Sequence, residues 1–201
     1  MTWTAFIAQF DATGRQKGEG YFAAHFEGMS GEELSRARQM MEERAGLGDT
    51  TDIDGLRLIG DTSTVERLIA LASADHRYGV PFAVNRCETL FVLTKDVRHL
   101  EPLLAHLNDR EDRDAAFAAQ AIARHPLPAT LAPALAERIC DGQHEISLLW
   151  IVKAWLSSQG VAIWRPDIFG AHLGFILDMT RARPADRLAM LEAWRRPSPD
   201  G

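Results

Sequence analysis

Cysteine is almost missing from this chain of 201 residues: Cys87 and Cys140 are the only two. Neither sits in a CxxC pair or at a Cys/His metal spacing, and two thiols cannot build a disulfide framework, so both read as buried, reduced thiols. Lysine is scarce too. Lys17, Lys95 and Lys153 stand alone, and nearly all positive charge is arginine, the side chain suited to bidentate carboxylate contacts. Basic residues are outnumbered, 22 Lys and Arg against 28 Asp and Glu for a formal charge of −6, which disfavours a protein that coats duplex nucleic acid through many phosphate contacts. No apolar run reaches the roughly 18 residues of a spanning helix. The opening MTWTAFIAQFDATGR has no basic start ahead of an apolar core, and the expected location is the cytosol. Strand signals are missing as well: no stretch alternates apolar and polar residues with β-branched enrichment. What remains is an ordinary globular composition, 46% hydrophobic and 25% charged, rich in the helix formers Ala, Leu, Arg and Glu.

The charge is uneven. Residues 1 to 60 carry six basic and ten acidic side chains, residues 61 to 120 seven and ten, and residues 121 to 201 nine and eight. Trp150, Trp155, Trp164 and Trp194 gather in the last third.

Helix signals run the length of the chain. Ser30-Gly31-Glu32-Glu33 is a capping box followed by Leu34, Ala37, Met41 and Ala45, predicting a helix over about 31–45. Asp61-Thr62-Ser63-Thr64 leads into Val65, Leu68, Ile69 and Ala72, a second capped amphipathic run. From Gly79 to about Thr94 the residues Val80, Ala83, Val84, Cys87, Leu90 and Phe91 form one apolar stripe, with Pro81 in the first turn. Asp96 opens a run with Val97, Leu100, Leu103, Leu104 and Leu107 on one face. Further helices are expected over 112–124, 128–139, 145–157, 168–179 and 188–194. Between the first two, Asp49-Thr50-Thr51-Asp52-Ile53-Asp54-Gly55 reads as an Asx-rich turn with Asp52 as a cap; its match to a calcium loop is poor, with threonine in the first ligand position and Arg57 in the middle.

From about residue 62 the helices fall into pairs, near 62–94, 96–124, 127–158 and 166–196, a period of 30 to 35 residues. The segment from Leu107 through Asn108, Asp109, Arg110, Glu111 and Asp112 to Ile122 resembles the HEAT-like (armadillo-type) α-helical repeat. It has an aspartate-bearing turn, a charged helix start and small residues that let helices approach. Gly60 to Leu71 resembles the first helix of such a unit. The resemblance covers roughly residues 55 to 160. It implies an all-α, right-handed α-solenoid of antiparallel helix pairs: an N-terminal helical cap over 1–60, about four pairs over 61–196 and a flexible tail over 197–201. A period near 33 residues also arises in the helical hairpins of an ordinary bundle.

Catalytic and metal motifs fail on inspection. His144-Glu145 starts an HExxH, but Leu148 stands where the second histidine belongs. His99 and His106 lie two helical turns apart, about 10 Å, too far for one ion. There is no GxSxG elbow, no Walker-type loop and no dinucleotide fingerprint. Neither metal nor cofactor is expected, and the chain does not read as an enzyme.

In a HEAT-like unit the second helix of each pair lines the concave face, and its noncore side chains are the natural contact set. On 79–94 these are Asn85 and Thr89, flanked by Arg86 and Glu88. On 112–124 they are Arg113, Phe117, Gln120 and Arg124, and thirty-three residues later Trp150, Lys153 and Ser157. An aromatic pair rimmed by Arg and Lys has the composition of a protein-interaction hot spot; the apolar run 148–152 equally allows Trp150 a place in the core. The resemblance implies a non-enzymatic module that grips a protein partner. Small acidic HEAT-like proteins of bacterial appearance are similar to immunity proteins, whose partner would be a basic toxin or effector. Two other roles fit the same fold. One is an alkylpurine DNA glycosylase-like protein using Trp150, Lys153, Trp155, Arg165 and Asp167. The other is a scaffold or adaptor, with homodimerisation through the tryptophan-rich end.

Overall fold

A computed structural model describes residues 2–107, 111–141 and 145–195. Residues 108–110 of the repeat-like segment, His144 and the tail expected at 197–201 lie outside the described residues. All regular structure among the described residues is helical. The helices are α1 (Thr2–Phe10), α2 (Gly14–Gly18), α3 (Gly31–Gly46), α4 (Thr50–Ile59), α5 (Thr62–Ala70), α6 (Asp75–Tyr78), α7 (Val80–Thr94), α8 (Leu103–His106), α9 (Asp112–Ala123), α10 (Ala132–Asp141), α11 (Glu145–Ser158), α12 (Pro166–Arg181) and α13 (Pro184–Arg195). They gather into two units, Met1–Leu100 and Glu101–Gly201.

In the first unit, side chains start the helices where the sequence places them. Ser30 Oγ accepts from the Glu33 N–H at 3.2 Å while Glu33 Oε2 accepts from the Ser30 N–H at 2.8 Å, the reciprocal capping box. Asp61 Oδ1 accepts from the N–H groups of Ser63 and Thr64 at 2.9 and 3.2 Å to open α5. Along α3, Ala37, Met41 and Ala45 recur every fourth residue and are buried. They meet an aromatic cluster in which Phe6 of α1 lies 5.4 to 6.0 Å, ring to ring, from Trp3, Phe10, Tyr21 and Phe26.

Two expectations need correction here. The Asx-rich segment is not a turn but the start of α4: Asp49 is the cap, its Oδ1 accepting from the Asp52 N–H at 3.0 Å, and Asp52 sits inside the helix with no exposed surface. The physical reason is spacing, since Ile53 and Leu56 follow at helical intervals and both are buried. The run from Asp96 to Leu107 is likewise not one helix. It breaks into a 3-10 turn, Val97–Leu100, and the short α8, because Pro102 lacks an N–H and its ring clashes with a continuing helix. His99 and His106 therefore lie on different segments.

α4 and α7 run side by side in the same direction. The Tyr78 hydroxyl donates to Gly46 O, Thr89 Oγ1 donates to Ile53 O, and Arg57 Nη2 donates to Glu88 Oε2, across sequence separations of 32, 36 and 31 residues. Gly55 faces α3 and the loop before it: a Cβ there would collide with Met41 Cε and the Tyr21 ring.

The second unit repeats this arrangement with different chemistry. Asp112, at the start of α9, accepts from the N–H groups of Ile146 and Ser147 at 2.7 and 3.0 Å and so caps α11 from a neighbouring helix. At the other end Ser157 Oγ donates to His125 O at 2.6 Å. These bonds join start to start and end to end, so α9 and α11 are also parallel, offset by 32 to 35 residues. α9 and α11 pack on one another, α9 carrying buried Ala115, Ala118, Ala119, Ala121 and Ala123 and α11 buried Leu148, Ile151, Val152 and Trp155; alanine permits close approach at no side-chain entropy cost. Arg187 of α13 is buried and donates to Ile139 O at 2.9 Å and Ala182 O at 3.1 Å, satisfying carbonyls near the C-terminal ends of α10 and α12.

The same substitution should have opposite effects at two helix-interior glycines. Gly174 in α12 has nothing within 4 Å of where a Cβ would stand, so Gly174→Ala is expected to stabilise by about 1 kcal/mol. Gly55→Ala is expected to destabilise by about 1–3 kcal/mol through overpacking against Tyr21 and Met41. Urea unfolding of both variants measures this, and stabilisation by both would contradict the packing at Gly55.

Candidate functional site

The row expected on the first unit is internal. Arg86 is 4% exposed, its Nε donating to Asp75 Oδ1 at 2.8 Å with a second bond from Nη2 to Asp75 Oδ2. Thr89 has no exposed surface and is held by Ile53 O and by Arg57 Nε, the latter at 3.2 Å. Glu88 is buried against Arg57 at 3.1 Å. Asn85 is half-buried, its Nδ2 donating to Pro81 O at 2.9 Å. The correction has two causes: α4 lies on α7, where Thr89, Glu88 and Asn85 are partners for Arg57 and for the backbone of α4, and Asp75 of α6 takes up Arg86.

The row expected on the second unit faces outward. On α9, Arg113 and Arg124 are exposed, Gln120 is half-buried and Phe117 is 38% exposed. The Arg113 guanidinium stands 5.8 Å from the Phe117 ring centre. On α11, Trp150 and Lys153 are half-buried and Ile146 is 66% exposed. Spacings of four and three place Arg113, Phe117 and Gln120 on one stripe, and Ile146, Trp150 and Lys153 on another. The bonds at both helix ends keep the two stripes in step. Ser157, read as the last member of the row, is instead turned inward to His125 O.

Lys153 is the most constrained member. Its ammonium lies 4.4 Å from the Trp150 ring centre and 4.7 Å from that of Phe169 on α12, a cation–π contact on each side. Among the described residues it makes no ion pair, and burial holds its ammonium below the ordinary lysine value of 10.5. Phe169, the second wall, was missed by sequence reading, because only the packing of α11 on α12 brings it to Lys153.

A second polar cluster, also missed, lies inside the first unit. Asp52 Oδ1 accepts from the Tyr21 hydroxyl at 2.5 Å and from Lys17 Nζ at 2.9 Å, while Asp52 Oδ2 has no partner. Lys17 also pairs with Asp49 at 3.5 Å and lies over the rings of Phe10 and Tyr21. Burial, then the bond to Asp52, drives the Tyr21 phenol far above its ordinary value. Asp52 is pushed up by burial and drawn back by its bonds to Tyr21 and Lys17. The cluster ties α2 and the loop after it to α4, and its ionic groups are spent on one another.

The remaining chemistry-bearing residues are dispersed. Cys87 is fully buried and its thiol is pushed up to about 11 by burial, while Cys140 is half-buried rather than buried. Among the described residues no three His, Cys, Asp or Glu side chains converge as they would on a metal ion, and no helix is long and apolar enough to cross a membrane. Of the set considered for a flipped base, Trp155 is fully buried, Lys153 lies over the Trp150 ring at 4.4 Å, and Arg165 is paired with Asp167 at 2.8 Å. No protein-family model, curated protein or solved structure matches the chain.

Removing Asp52 leaves the buried Tyr21 hydroxyl without its acceptor and takes from the half-buried Lys17 ammonium its shorter ion pair, leaving Asp49 at 3.5 Å, so Asp52→Ala is expected to cost about 3–5 kcal/mol. The folded chain holds the Asp52 proton to higher pH than the unfolded chain does. The contribution of this group to stability is therefore greatest below 3.8 and declines as pH rises from there to the raised folded value. Urea titrations across that window should show the stability of the wild type relative to Asp52→Asn falling as pH increases; a rising difference would mean that the Lys17 pair outweighs burial.

Proposed function

We propose that this chain is a non-enzymatic protein-binding module of the HEAT-like α-solenoid kind, and that its contact surface is the pair of outward stripes on α9 and α11. The observation that carries the reading is the two stripes themselves. They are held in step on parallel neighbouring helices, and each bears a part-exposed aromatic ring with a cation over it. Tryptophan, arginine and other aromatics supply most of the energy at protein interfaces, and a folded chain gains little by leaving such rings at its surface.

The solenoid reading draws support from chain position. α4, α7, α9 and α11 begin at residues 50, 80, 112 and 145, intervals typical of helix-pair repeats. Within each unit the neighbouring members of this series run parallel, which alternating antiparallel helices produce at every second helix. The formal charge of −6 favours encounter with a partner of net positive charge, and the narrower proposal is an immunity or inhibitor role against such a protein.

The test is affinity capture of the tagged chain from lysate of its own cells, with the Phe117→Ala, Trp150→Ala double variant run in parallel. A stoichiometric protein in the wild-type eluate, reduced at least about tenfold by the double variant while circular dichroism and melting temperature stay unchanged, is the expected result. Equal capture by both chains, or no stoichiometric protein with either, would overturn the reading.

A further inference from the structure

Around Lys153 the partner's chemistry can be specified further, and the specification rests on the binding reading above. The side chain spans from α11 to α12 with a ring on either side. Two aromatic faces stabilise a cation, but they supply no formal negative charge and return only part of the hydration that burial removes. The other buried or half-buried cations of the second unit are each given an oxygen. Arg187 has two carbonyls, and Arg138 has Asp141 at 2.8 Å. In the first unit Lys17 has Asp52, Arg57 has Glu88 and Arg86 has Asp75. Lys153 is the exception among these: no carboxylate of the described residues reaches it, and burial lowers its ammonium with nothing to offset it.

The surroundings give the missing group a setting. Ile146 and Phe117 present exposed apolar surface on the two in-step stripes, and Arg113 is an exposed cation on the same side of α9 as Phe117. An apolar surface with a desolvated cation set in it matches an acidic side chain carried between apolar ones.

We infer that Lys153, walled by Trp150 and Phe169, is the seat for a single glutamate or aspartate carboxylate of the partner protein, flanked there by apolar side chains that rest on Ile146 and Phe117. This is a local contact of a few ångströms and is compatible with a partner of net positive charge, because steering acts over the whole surface and the seat accepts one side chain. The carboxylate completes the salt bridge that the chain itself leaves open, and the two rings hold the ammonium in place before it arrives, which lowers the ordering cost of the contact.

The probe is a pair of end-blocked heptapeptides, identical but for a central glutamate in one and glutamine in the other, each flanked by leucines. Binding is followed by tryptophan fluorescence and by the ¹³Cε shift of Lys153 at low ionic strength. The glutamate peptide should bind the intact chain at least about tenfold more tightly than its glutamine twin and move the Lys153 signal, whereas Lys153→Met, which keeps the stem and the apolar contacts, should bind both equally. Equal binding of the twins to the wild type, including no binding of either at 5 mM, overturns the carboxylate seat, as does a glutamate preference that survives Lys153→Met. Failure here beside successful capture sensitive to Phe117 and Trp150 leaves the binding module standing without this seat. A glutamate preference with no captured partner would leave the seat standing and remove the module reading.

Discussion

Much of the second unit depends on three hydrogen bonds that do not belong to any helix ladder. Asp112 closes the amino end of α11 from α9, and Ser157 closes the carboxyl end of α9 from α11. Each satisfies backbone groups that a helix leaves open at its ends, and together they fix the register of two helices whose alanine-rich contact would otherwise permit sliding. Register then decides everything outward of it: which residues are covered, that Phe117 and Trp150 occupy corresponding levels, and that Lys153 meets α12. The first unit solves the same problem with Thr89, Arg57 and Tyr78 between α6–α7 and the α3–α4 region.

The two units treat buried polarity differently, and the contrast bears on function. In the first, Lys17, Arg57 and Arg86 are neutralised by Asp52, Glu88 and Asp75, so their charges are committed to holding elements together. Such pairs repay their desolvation only when both members are present. In the second unit Lys153 is held instead between two aromatic faces, an interaction weaker than an ion pair, with no carboxylate of the described residues on it. A site for another molecule is expected where compensation is incomplete, and the uncompensated cation is Lys153.

How far the fold could be read in advance follows from where its information resides. α3 and α5, which carry their own caps, and α7, α9 and α11, which carry a clear apolar stripe, are legible because each signal is local. α4 was not, since three aspartates and a glycine look like a turn until Asp49 is seen to cap and Gly55 to make room for Tyr21, both facts of tertiary contact. That omission propagated. Without α4, the Glu88 and Thr89 side of α7 reads as surface, although it is the seam on which α4 lies. The α9 and α11 rows were legible because the alanines of α9 announce which side is covered and the spacing of Arg113, Phe117 and Gln120 announces the other. Phe169 and the Tyr21–Asp52–Lys17 cluster were out of reach, because no local pattern links residues 153 and 169, or 17 and 52.

Arg187 has a consequence for how the second unit comes into being. Its guanidinium is what carbonyls near the ends of α10 and α12 bond to, and it lies on α13, after both of them in the chain. During synthesis α10 and α12 can coil and begin to pack, yet those two carbonyls stay open to water until α13 has left the ribosome. The unit therefore lacks these two bonds until its last helix is present. A nascent chain halted within α12 would hold much of its native helix while remaining a ready substrate for chaperones and proteases.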